Sequence, residues 1–110
     1  MTNLTLRNTA LLSLLVPIQS NEGDRFEEDA FEALESHVTL FAGGISRLGD
    51  VVGSWLGPNG IQREVLRRYE ITVPAENAAS VARELDRYVR NRFRQLVVYI
   101  TETPTRSVEF

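Results

Sequence analysis

The chain lacks cysteine and lysine altogether and carries one histidine, one tryptophan and one methionine. Without cysteine there is no disulfide, thiol nucleophile, thiolate metal site or redox switch, and nothing demands an oxidising compartment, so a cytoplasmic setting is expected. A single histidine is too few for the usual transition-metal ligand sets, and neither metal nor cofactor is expected. With lysine absent, all 12 basic residues are arginine; codon bias is the plain explanation, and a need for bidentate contacts the functional one. The missing lysine also bears on Gly57-Pro58-Asn59-Gly60, which opens no helix and so reads as a turn rather than a phosphate loop. A net charge of −3 argues against a general nucleic-acid binder, which shows a basic balance. The apolar run ALLSLLVPI at residues 10–18 is far too short to cross a bilayer. The following Gln19-Ser20-Asn21-Glu22 offers no small-residue cleavage pattern, so the run reads as an inner strand and no membrane association is expected.

What is present declares itself first in Gly53–Val73, GSWLGPNGIQREVLRRYEITV, which reads as two strands about one tight turn. Pro58 presets φ, Asn59 tolerates the next position, and Gly60 accepts the left-handed geometry that returns the chain. The register then sets Leu56 opposite Ile61, Ser54 opposite Arg63, Val52 opposite Val65, Asp50 opposite Arg67 and Leu48 opposite Tyr69. The alternate face pairs Trp55 with Gln62, Gly53 with Glu64, Val51 with Leu66, Gly49 with Arg68, Arg47 with Glu70 and Ile45 with Thr72. Each face gains one opposite-charge pair, Asp50 with Arg67 and Arg47 with Glu70, favourable by ~0.2 to 1 kcal/mol apiece. A one-residue slip loses both pairs and inverts the apolar face. Gly49 and Gly53 leave Arg68 and Glu64 opposite no side chain, the kind of place where a bulge or a close approach occurs.

The 110 residues suffice for one α+β domain with a single core. Residues 1–9 are polar and expected to form a mobile arm, followed by a strand at Ala10–Ile18 that is apolar on both faces. Asp24 and Glu27 resemble a capping box before a helix over Arg25–Phe41, with Phe26, Ala30, Leu34, Val38 and Phe41 as its buried stripe and Gly43-Gly44 as its stop. After the hairpin, Ala78, Val81, Ala82, Leu85, Tyr88, Val89 and Phe93 recur with period 3.6 and predict a second helix to about Arg94. A strand at Leu96–Thr101 follows, and Arg106–Phe110 alternates like a short further strand. The order strand, helix, strand, strand, helix, strand is the ferredoxin-like split pattern: a four-stranded antiparallel sheet with both helices on one face.

Phe41-x-x-Gly44, Gly53-Ser54-Trp55, Gly60, Glu64, the strand ending at Val73-Pro74, and Arg92-Phe93 with Gln95 together resemble an uncharacterised family of small bacterial proteins. The likeness runs from about Ser36 to Phe110. It rests mainly on the glycine-x-tryptophan strand and the glutamate after it, here Gly53, Trp55 and Glu64. The resemblance implies the ferredoxin-like fold and no particular activity.

The chemistry-bearing residues are sparse. Ser36 and His37 are helix neighbours about 100° apart, and no acid is placed by sequence to orient the imidazole, so a partly covered structural histidine is expected. The carboxylates of Glu27, Glu28, Asp29, Glu32 and Glu35 spread around their helix as a solvated face. Arg83, Arg87, Arg90 and Arg94 form a stripe on the second helix, which the acidic first helix is expected to compensate. Only Trp55 and Tyr99 offer stacking platforms to RNA. The informative surface is the sheet face that the helices cannot reach, where Val51, Trp55, Glu64, Leu66, Arg68 and Tyr99 are the candidate ligand or interface residues. The leading expectation is a homodimeric interaction or ligand-binding module using that face. The alternative is a small enzyme of the dimeric α+β barrel type, with a small-molecule ligand enclosed between facing sheets.

Overall fold

The computed structural model describes Asn3 to Glu109. It has the order β1 (Thr5–Pro17), α1 (Glu28–Ala42), β2 (Ser46–Gly57), β3 (Gly60–Pro74), a 3-10 turn (Ala75–Asn77), α2 (Ala78–Arg92) and β4 (Tyr99–Glu109). The sheet order is β2-β3-β1-β4, and every neighbouring pair is antiparallel. This is the ferredoxin-like α+β arrangement expected from the sequence.

One face of the sheet holds the core. Alternation along β1 sends Ala10, Leu12, Leu14 and Val16 toward the helices, where they meet Tyr69, Ile71 and Val73 of β3. Phe31, Leu34 and Val38 of α1, and Val81, Leu85 and Val89 of α2, complete the layer. Phe93, the residue that caps α2, is buried with its ring 5.0 Å from that of Phe26. Gly43 ends α1 in the left-handed region (φ 94°), its amide donating to Thr39 O; glycine adopts that geometry without Cβ strain.

Element boundaries differ from the sequence reading in three respects. Thr5–Thr9, expected in a mobile arm, are strand residues paired with Glu109–Thr105 of β4; Asn3 and Leu4 precede the strand, and Met1 and Thr2 lie outside the described residues. The strand expected at Leu96–Thr101 and the short one expected at Arg106–Phe110 are one strand, continuous through Pro104, with Phe110 outside the described residues. An edge strand tolerates the missing N–H that a central one would not. The capping box is not formed: α1 begins at Glu28, the cap residue is Glu27, and its side chain makes no capping bond. Asp24 instead closes a loop, its amide donating to Ser20 Oγ at 3.2 Å.

The hairpin register holds from Leu56 opposite Ile61 to Gly49 opposite Arg68, and there it slips. Leu48 is bulged, so Arg47 stands opposite Tyr69 rather than Glu70, and Gly49 supplies the φ of +111° that the bulge requires. One extra residue exchanges the faces beyond it. Arg47 is thereby turned toward the helices, where it pairs with Glu28 at 2.6 Å and with Glu35.

Candidate functional site

The bulge completes a polar network beneath the start of α1. Arg67, only 7% exposed, donates Nε–H to Asp50 Oδ1 at 3.0 Å and Nη1–H to Glu28 Oε2 at 3.2 Å, with its guanidinium 4.4 Å from the Phe31 ring centroid. Tyr69 donates its hydroxyl to Glu35 Oε2 at 2.7 Å. Arg47 holds Glu28 below the usual carboxylate range, Arg67 does the same for Asp50, and burial pushes the Tyr69 hydroxyl up. The α1 carboxylates Glu28 and Glu35 are therefore neutralised by arginines of the sheet rather than by the stripe on α2. Within α2, Arg87 and Arg90 pair with Glu84 and Asp86 of their own helix. Every member of the network has a partner, so it fixes α1 on the sheet and leaves no group over for chemistry.

His37 does gain an acid, one that sequence distance concealed. Glu84, 47 residues on, places Oε2 2.8 Å from His37 Nε2, while Tyr88 stacks on the imidazole at 4.4 Å. Glu84 is drawn down to about 2, first by Arg87 and then by His37. Among the described residues the imidazole has no hydrogen bond to a nucleophile, and its bond to Glu84 joins α1 to α2.

The six candidate residues do share one face, the sheet surface opposite the helices. Gly49, Arg68, Leu15 and Tyr99 form one row across β2, β3, β1 and β4, and Val51, Leu66 and Pro17 form the next. Arg68 pairs with Glu70 at 3.1 Å. Leu66 is nearly covered within the monomer, at 4% exposure, because it occupies the space over Gly53, where a Cβ would stand 2.7 Å from its Cδ1. Glu64, opposite Gly53, is pushed up by burial, and no ion pair joins it to a basic group among the described residues. Trp55, Val51 and Tyr99 remain exposed.

Sequence reading missed how far the hairpin extends. β1 accompanies β3 only from Pro17, opposite Leu66, so the hairpin beyond that point projects as a two-stranded arm from a molecule 59 Å long. No helix reaches the arm's helix-side face, where Val52, Leu56 and Ile61 are 71%, 83% and 71% exposed. The arm thus exposes an apolar row on its helix side and Trp55, among Gly53, Gln62 and Glu64, on the other. A hollow of about 570 Å³ opens at the other end of the sheet, among Arg7, Thr9, Thr72, Glu76 and Ser107, away from Trp55.

These features define a ferredoxin-like α+β module with a projecting hairpin. Solved structures similar to it include those of CutA proteins. CutA from Synechococcus elongatus superposes with a TM-score of 0.68 at 14% identity, over 96% of this chain and 86% of that one. CutA1 from Oryza sativa gives 0.65 at 12%, over 90% and 81%. The divalent cation tolerance protein CutA1 from Thermus thermophilus gives 0.65 at 8%, over 88% and 84%. Identities this low show a shared fold alone. No family model matches the chain, and no curated protein does. The likeness in fold is thus to a named group, where the sequence motifs resembled an uncharacterised one.

Proposed function

We propose that the protein is a self-associating module in which copies meet through the projecting arm and the open sheet face, a homodimer being the smallest such assembly. The observation that carries this reading is the projecting arm, with Val52, Leu56 and Ile61 exposed on one face and Trp55 on the other, at a cost in exposed apolar surface of about 25 cal/mol per Å². A second copy covers both sides of such an arm; a small ligand covers one. Trp55 supplies the anchor, since tryptophan buries on the order of 200 Å² and keeps an N–H for the rim. Divalent-cation tolerance, the property named for the Thermus thermophilus protein, has no cluster of three His, Cys, Asp or Glu side chains to support it among the described residues.

Light scattering after size exclusion tests the proposal. The wild type is expected to run as an assembly at tens of micromolar. Leu56→Glu and Trp55→Glu are expected to give folded monomers, because a charge would have to be desolvated within the contact. Both positions are exposed in the monomer, so neither change disturbs the core; Leu66→Glu, at a covered position, would confuse unfolding with dissociation. A wild-type monomer at that concentration removes the proposal.

A further inference from the structure

Six of the arginines take no ion-pair partner among the described residues: Arg25, Arg63, Arg83, Arg92, Arg94 and Arg106. Three of them, Arg25, Arg92 and Arg94, line one hollow of about 240 Å³ between the loop after β1 and the end of α2. Arg25 comes from the loop before α1, whereas Arg92 and Arg94 flank the Phe93 cap of α2, so tertiary packing rather than helix periodicity brings Arg25 to the other two. Ser20 and Asn21 add hydroxyl and amide groups, and the Phe26 ring forms part of the wall.

Arg94 is held there at a cost. It is the one non-glycine residue with positive φ (53°) among the described residues, a strained left-handed conformation that persists where surrounding contacts impose it. Those contacts are present: Asn21 Nδ2 donates to Arg94 O at 3.4 Å, and the Gln95 amide donates to Arg90 O at 3.2 Å. Two carboxylates, Glu22 and Asp24, share the rim, yet no ion pair joins either to the three guanidiniums. From this convergence of Arg25, Arg92 and Arg94 on one concave hollow, we infer a binding site for a small phosphate-bearing ligand. Planar guanidiniums bind phosphoryl oxygens through paired N–H donors, and a concave hollow suits a small anion better than an extended polymer.

NMR titration of the ¹⁵N-labelled full chain with inorganic phosphate and with pyrophosphate, at ionic strength matched by sodium chloride, tests the site. Saturable amide shifts confined to Ser20–Phe26 and Arg92–Gln95 are expected, with pyrophosphate binding more tightly. Arg92→Gln and Arg94→Gly are each expected to weaken binding about tenfold. The glycine variant also relieves the backbone strain and so keeps the fold, while Arg83→Gln, outside the hollow, leaves binding unchanged. Shifts that match the chloride control, that never saturate at tens of millimolar, or that centre on His37 and Arg87 overturn the inference.

Discussion

Arg67 has three partners in a small space: Asp50, Glu28 and the Phe31 ring. A double-mutant cycle of Asp50→Ala and Arg67→Ala, read by urea unfolding, is expected to show a coupling of about 0.5 to 3 kcal/mol; additive losses would mean that the pair is incidental. Reversing both charges restores little, because an aspartate at position 67 faces Glu28. Acid distinguishes the carboxylates further. Asp50 and Glu84 are both depressed in the folded protein, so their contributions are present above the unfolded carboxylate values and fade as pH falls through the folded ones. For Glu84 that fading centres at about 2. Glu64 has the opposite sign. Burial raises it, so ionising it opposes folding at neutral pH, and that opposition disappears as pH drops through the raised value to the unfolded one. Glu64→Gln is therefore expected to raise the unfolding midpoint at pH 7 and leave it unchanged under acid conditions; an equal gain at both would assign the effect to something other than charge.

At the scale of elements, what was legible followed local periodicity, and what was hidden depended on distance or on one irregular residue. The stripe of Val81, Leu85 and Val89 marks α2 and its buried side correctly. Leu85→Ala is expected to cost ~2 to 5 kcal/mol through the cavity it leaves, while Arg87→Ala, on the exposed side, is expected to leave the unfolding midpoint nearly unchanged. Equal mildness in equilibrium unfolding would mean that the helix faces another way. Alternation along β2 and β3 gave the pairing of Trp55, Val51 and Asp50, because a two-residue turn leaves the register no freedom. It failed at Leu48, where two glycine-flanked alternatives differ only in whether the chain bulges. That slip moved Arg47 from Glu70 to Glu28 and Glu35, contacts no cross-strand pattern contains. Glu84 as the partner of His37 was illegible for a related reason: helix-to-helix packing joins them, with no short-range spacing to announce it. The open face was legible as a set of six residues, whereas the uncovered arm was not, since its exposure depends on where β1 stops accompanying β3.

The whole molecule is a short sandwich drawn out by its arm, and its sheet ends in two edges, β2 and β4. Each edge carries an interruption already described, the Leu48–Gly49 bulge in β2 and Pro104 in β4. A chain that meets copies of itself through its arm, as proposed above, also risks adding strands without limit along those edges, which is the route to fibrils. Pro104 denies an incoming strand a regular row of backbone donors, and the bulge twists the opposite edge out of register. Pro104→Thr is expected to leave the fold intact and to shorten the lag before thioflavin-positive fibres form under agitation; an unchanged lag would show that the edge is guarded elsewhere. On this account the proline has little to do with how one copy folds. It sets an upper bound on how many copies can stick together, and so separates an assembly of fixed size from a precipitate.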